Sequence, residues 1–237
     1  MIRFLKYFLV GYLVGSLLVF GWSKQVDANE SALLALRATT LRLPNGTGAL
    51  VRGKSGKVYV LTNFHVCVGI LYRGKFRGAL PTGQSYEGKL VKADPQKDLC
   101  AAEPDAGTKS VLALNLSRRS RIGQGLYTRG YPNGVLMESH GTLEGEVQWS
   151  HDFPIDYVGE CGPGMEKRIN PWGVLEACGV RFRSSLTNLY SRPGSSGSPV
   201  VDVDGNLVGV VSSWHYDQDY SAGIVTYDQV KAFLDTL

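Results

Sequence analysis

An uncharged apolar stretch, Tyr7–Trp22, stands apart from the rest of the chain. It runs for 16 residues behind Arg3 and Lys6. A signal-peptide core needs about 7–15 such residues and a membrane-spanning helix about 20. Two readings fit. In one, Lys6 snorkels, Phe4 and Leu5 extend the span, and Trp22 sits at the far interface. In the other, the segment is cleaved after Ala28, with Val26 at the −3 position. Residues 1–28 are therefore expected to form a hydrophobic helix, either a signal-anchor or a signal peptide. In both readings the positive flank stays inside and the remainder lies on the periplasmic or extracellular side, anchored or secreted. Gly11 and Gly15 form a GxxxG that reads as ordinary glycine in an apolar helix.

Beyond a lead-in at 31–43 that carries a short apolar run, the pattern changes. Short stretches rich in Val, Leu, Tyr and Thr alternate with Gly, Asn, Asp and Pro. They include Ala49–Arg52, Val58–Thr62, Lys89–Ala93, Leu126–Arg129, Thr142–Trp149, Pro199–Val203 and Leu207–Ser212. Asp204-Gly205-Asn206 is a hairpin signal between the last two. Many strands with tight turns and no alternating helices predict an all-β sandwich or barrel. The end differs. Thr226 and Gln229 have capping-box spacing, and Val230, Phe233, Leu234 and Leu237 follow at i, i+3, i+4 and i+7. That spacing predicts one amphipathic closing helix. Residues 150–180 hold two cysteines, three prolines and several glycines, and read as a stapled surface insertion.

Composition narrows the class. The 237 residues are 43% hydrophobic and 19% charged, which excludes a disordered chain. The 29 glycines follow no period, which excludes collagen and favours turns. Net charge is +4, and residues 1–28 carry Arg3, Lys6 and Lys24 against Asp27, so the body is closer still to neutral. No nucleic-acid partner is indicated. Four cysteines suit an oxidising compartment. Cys161 and Cys178 flank a Gly/Pro-rich stretch within the insertion and are expected to pair. Cys67 and Cys100 then pair by elimination, or remain two buried thiols. No CxxC occurs and the histidines lack ligand spacing, so no metal site is expected.

Three islands carry chemistry. The first is Pro193-Gly194-Ser195-Ser196-Gly197-Ser198-Pro199, where glycines let successive N–H groups turn into one concavity beside a serine. The second is Val58–Cys67, an apolar strand that ends by delivering His65 at its edge. The third is Asp94–Ala102, in which Asp98 opens an apolar run and sits at a core boundary, placed to hold an imidazole in one tautomer. Each alone is an ordinary loop, strand end or turn. Together, in the order His, Asp, Ser, they read as a catalytic set.

These residues resemble the trypsin-like serine proteases, and within them the HtrA/Deg-type branch. Gly194–Pro199 matches the nucleophile motif G-x-S-G-x-P, which places the nucleophile at Ser196. Thr62-Asn63-Phe64-His65-Val66 matches the histidine motif, and Asp98-Leu99-Cys100-Ala101 the aspartate segment. Asn45–Val51, Gly130-Tyr131-Pro132, Gly141 and Ser212-Ser213-Trp214 are weaker echoes, and the likeness covers roughly residues 40–235. It implies two packed six-stranded antiparallel β-barrels, divided here as 29–118 and 119–237. It implies catalysis by His65, Asp98 and Ser196, with the N–H groups of Gly194 and Ser196 as oxyanion hole and no cofactor. Ser213, Trp214 and His215 would hold a polypeptide substrate by strand addition. Tyr190 and Ser191 would lie near the floor of the specificity pocket and Gly223 on its wall.

Departures from the family bear on regulation. Ser195 stands where digestive members carry an aspartate that pairs with a freed amino terminus, so activation by such cleavage is not expected. The chain ends at Leu237, directly after the closing helix, so no carboxy-terminal peptide-binding (PDZ) domain is expected in it. No carboxylate occupies the pocket floor, which argues against Lys/Arg specificity and leaves a small or apolar residue before the cut. Gly69–Phe76 nearly spells a phosphate loop but ends in Phe76 where Ser or Thr is needed. The basic clusters at 73–77 and 117–121 read as solvated loops, and Asn29, Asn45 and Asn115 begin glycosylation sequons. The competing class is a catalytically inactive peptide-binding or scaffold protein at the membrane, against which an intact His65, Asp98 and Ser196 weigh.

Overall fold

The computed structural model describes residues 29–71, 75–105, 112–117, 120–154, 160–161, 165–214 and 221–237. The apolar segment expected within residues 1–28, and His215, lie outside them. Among the described residues no helix is long and apolar enough to cross a membrane.

The described residues begin with a helix, α1 (29–39), where a lead-in was expected. Ala32, Leu36 and Thr39 face inward at i, i+4 and i+7. The first barrel follows with β1 (Thr40–Leu43), β2 (Gly46–Arg52), β3 (Val58–Thr62), α2 (Phe64–Leu71), β4 (Phe76–Ala79), β5 (Ser85–Asp94) and β6 (Leu99–Pro104). The strands close in the order β1-β2-β3-β6-β5-β4, sealed by a pair between Arg42 and Ala79. Period-two alternation sorts its side chains. Leu50, Val60 and Ala102 fill the barrel with Leu41, Phe76 and Tyr86. Ala49, Val51, Tyr59, Leu61, Leu99 and Ala101 point the other way, into a larger core outside it.

The second barrel comprises β7 (Gly125–Gly130), β8 (Met137–Pro154), β10 (Leu175–Tyr190), β11 (Pro199–Val201), β12 (Leu207–Trp214) and β13 (Ser221–Val225). Pairings β7–β8–β10–β13–β12–β11–β7 close it with six strands. Leu126, Leu143, Leu189, Val200, Val211 and Ile224 fill it. The closing helix, α3 (Tyr227–Leu234), has the expected capping box between Thr226 and Gln229. Val230, Phe233 and Leu234 join Val201, Leu207, Val210 and Val225, together with Ala32 and Leu36 of α1, in the core that β2, β3 and β6 share. The two barrels and helices α1 and α3 therefore pack on a single seam.

The described residues between 150 and 180 are largely paired strand. Strands β8 and β10 run on past the barrel as a hairpin arm, and β9 (Glu166–Ile169) adds a third strand to it. Cys161 and Cys178 are bonded across the arm, and Cys67 and Cys100 are bonded in the first barrel. At the arm's root, Phe153 and Val180 pack on Phe64 and Val68 of α2, with the Phe64 and Phe153 rings edge to face at 5.0 Å.

Candidate active site

His65 lies in the first turn of α2, not at the strand edge where its sequence places it. Asn63 follows the last residue of β3, and its C=O accepts the first helical bond from Cys67 N–H at 3.1 Å. The buried Asn63 amide donates to the Asp98 carbonyl at 3.0 Å and ties the histidine helix to the aspartate turn. That turn is a short 3-10 helix, Pro95–Lys97, capped by the Asp94 side chain on Lys97 N–H. Asp98 closes it in the left-handed region, φ 51°, a conformation that aspartate tolerates better than most residues.

Asp98 is 1% exposed. A carboxylate so buried needs donors. His65 supplies two: its backbone N–H, 3.1 Å from Oδ1, and its ring Nδ1, 3.0 and 2.9 Å from the two oxygens. A carboxylate only accepts, so the proton sits on Nδ1 and leaves Nε2 as an acceptor. The imidazole is 21% exposed at its outer side. The bond between Cys67 and Cys100 joins the same two elements, two residues beyond His65 and two beyond Asp98.

The three serines of the Gly194–Ser198 turn are distinguished by burial. Ser195 and Ser198 are 3% and 2% exposed, whereas Ser196 is half-buried. Ser195 Oγ accepts from Arg192 N–H. Ser196 O accepts from Thr47 N–H at 2.8 Å, which fixes the turn on β2. A methyl group placed on Gly46 would lie 2.8 Å from Ser196 O and 3.0 Å from Val66 Cγ2, so the serine turn and the residue beside His65 meet over one glycine.

Peptide orientation in this turn is set from outside it. Asn133 N–H donates to Pro193 O at 2.7 Å. In a trans peptide the C=O and the following N–H point in opposite directions, so this bond turns Gly194 N–H away from Asn133. Thr47 Oγ1 donates to Gly194 O at 2.8 Å and accepts from Tyr131 N–H at 3.0 Å. Gly194 adopts φ +96° and passes so close to Tyr131 O that a Cβ would sit 2.4 Å from it. The N–H groups of Ser195, Gly197 and Ser198 are bonded within the fold; among the described residues those of Gly194 and Ser196 donate to none.

The other expected residues gather on one side. Ser191 Oγ donates to Ser213 O at 3.4 Å, Ser213 pairs with Gly223 across β12 and β13, and Trp214 pairs with Ala222. Tyr190 pairs with Ser221 and stacks under the Arg192 guanidinium at 5.9 Å. A cavity of about 970 Å³, lined by Gln96, Arg121, Arg183 and Tyr227 among others, is a different one and includes none of these residues. Sequence reasoning gave no role to the Tyr131–Gly134 loop. Its available signal was Pro132-Asn133-Gly134, a turn cluster in which Asn133 takes φ 51°.

Two closed barrels on one seam thus carry a histidine gripped by a buried carboxylate and, close to it, a glycine-serine turn. The chain belongs to the trypsin-like peptidase domain family, whose model matches residues 46–210. Among its relatives are Protease Do-like 1, chloroplastic, of Arabidopsis thaliana, 24% identical over 86% of this chain and 42% of that protein, and the serine protease Do-like HtrA of Bacillus subtilis, 27% identical over 76% and 35%. The chain thus spans about two-fifths or less of these relatives. Among solved structures, the active form of the Rv3671c protease of Mycobacterium tuberculosis superposes with a TM-score of 0.62 at 17% identity, covering 85% of this chain and 81% of that one. The HtrA-type protease AlgW with a decapeptide gives 0.54 at 23%, covering 79% and 50%. These likenesses show the same fold.

Proposed function

We propose that this chain is a serine endopeptidase of the HtrA/Deg type, acting through His65, Asp98 and Ser196 on the extracytoplasmic side of a membrane or after secretion. The observation that carries the reading is the grip of buried Asp98 on both the backbone and the ring of His65, beside the half-buried serine of the turn. The two disulfides favour an oxidising compartment.

The mechanism follows from the groups present. His65 Nε2 takes the Ser196 hydroxyl proton as Oγ attacks a peptide carbonyl. Asp98 keeps the ring in the productive tautomer and stabilises the imidazolium that forms. The N–H groups of Gly194 and Ser196 receive the developing oxyanion, with one such donor worth about 10²–10³ in rate. His65 then returns the proton to the leaving amine, and water, activated by the same imidazole, hydrolyses the acyl-enzyme. An extended substrate lies along Ser213–His215 by strand addition, with Tyr190, Ser191 and Gly223 around the residue before the cut. Residues 29–118 and 119–237 supply the two halves of the site.

Turnover of an unstructured fluorogenic polypeptide by the full chain tests this. Ser196→Ala and His65→Ala are expected to remove activity to the uncatalysed background of the fold. Asp98→Asn presents an amide donor to Nδ1, favours the wrong tautomer, and is expected to lower kcat by about 10⁴. Activity that survives Ser196→Ala contradicts the assignment. A wild-type chain that binds the peptide without cleaving it supports the scaffold reading instead.

A further inference from the structure

Three elements meet at Glu138. It is the β8 residue directly opposite Arg129 of β7, at the base of the turn that joins those strands. Arg37 of α1 grips its carboxylate with a two-pronged fork, Nε to Oε1 at 3.0 Å and Nη2 to Oε2 at 3.2 Å. Arg129, 8% exposed, brings Nη1 to 3.2 Å from Oε1. Its Nε and Nη1 make no well-aligned hydrogen bond among the described residues, so the Glu138 charge is what compensates this buried guanidinium. The hydrogen bond from Arg37 holds the Glu138 carboxyl below the usual carboxylate range.

The turn above this base is the one that orients the Gly194 peptide. Tyr131 N–H bonds Thr47 Oγ1, Tyr131 O lies against Gly194, and Asn133 N–H bonds Pro193 O. Asn133 does so from a left-handed backbone conformation that the surrounding turn must maintain. We propose that Glu138 is a positioning residue: by bridging Arg37 and Arg129 it makes α1, a helix outside both barrels, part of the support that aims the Gly194 N–H into the site. This rests on the peptidase reading above.

The chemistry of removal is direct. Without the Glu138 charge, the Arg37 and Arg129 guanidinium groups repel each other across the base of the turn. The turn then samples other positions, Asn133 N–H leaves Pro193 O, and the 193–194 peptide is free to rotate. Complete loss of one oxyanion donor sets the ceiling at about 10²–10³, and partial loss of the aimed population gives less. Substrate strand pairing at β12 is untouched, so KM is spared.

Arg37 is 54% exposed in its side chain, and its replacement leaves both barrel cores intact. The experiment measures peptide hydrolysis and thermal unfolding for the full wild-type chain, Arg37→Ala, Arg37→Lys and Glu138→Gln. The expected result is kcat lowered about five- to tenfold in Arg37→Ala and Glu138→Gln, with KM within about twofold. Arg37→Lys, which keeps the charge but not the fork, is expected to recover part of the loss. The rate of fluorophosphonate labelling at Ser196 should fall in parallel with kcat. An active wild type with variants of unchanged kcat overturns the inference alone, as does a loss that only follows the folded fraction. A wild type without turnover overturns the peptidase reading and this inference with it.

Discussion

Asp98 and Glu138 are both carboxylates held by cations or donors, but they differ in what surrounds them. Asp98 is enclosed and meets the backbone and ring of one histidine. Glu138 sits at a half-open junction between two arginines. Its depressed pKa has a stability consequence of definite sign. A carboxyl whose pKa is lowered on folding stabilises the fold above its unfolded pKa, and that stabilisation is lost as pH falls through the folded pKa. Wild type should therefore be slightly more stable than Arg37→Ala at neutral pH, the difference being small for so exposed a pair. The two should converge in acid, and thermal melts from pH 7 down to pH 3 check this. At this scale the sequence was most informative where a residue type is demanded by chemistry. His65, Asp98 and the serine turn stand out from their motifs. Arg37, Glu138 and Asn133 do not, because their roles exist only once distant elements meet, and no local pattern marks a surface arginine as half of a bridge.

Among the elements, α2 and the hairpin arm changed most between sequence and structure. The run Val66–Leu71 is continuously apolar, and without polar punctuation its helical period is hidden. The arm is masked by Pro154, Pro163, Pro171 and its glycines, which read as loop although long pairing carries β8 and β10 through. Helix α1 was legible in principle from Ala32, Leu36 and Thr39, but its few positions resemble a short apolar lead-in. The strands with clean flanking turns, such as Val58–Thr62 and Leu207–Trp214, and the capped closing helix were recoverable, because local signals and tertiary burial agree there. The arm's root also packs on the helix that carries His65, so it supports the first barrel from the second. Phe153→Ala should destabilise the protein by about 3–5 kcal/mol, since it removes a buried ring from that contact. Denaturant titration gives the value, and a cost below about 1 kcal/mol contradicts the packing role.

At the scale of the whole molecule, the proposed site belongs to neither barrel. The first contributes His65 and Asp98, and the second contributes the Gly194–Ser198 turn. The seam core of β2, β3, β6, β11, β12, α1 and α3 holds them in register. Helices α1 and α3 both pack into that seam. Barrel number and pairing are set by long-range closure that no local pattern encodes, and came from the sequence only through resemblance. The central claim is that this assembly activates one serine among three in the turn. Mass spectrometry of the folded, disulfide-intact chain after treatment with a fluorophosphonate probe tests it most directly. The account predicts a single adduct on the peptide containing Ser196, absent from Ser196→Ala and from heat-denatured protein. No adduct, or one that persists in Ser196→Ala, would contradict it.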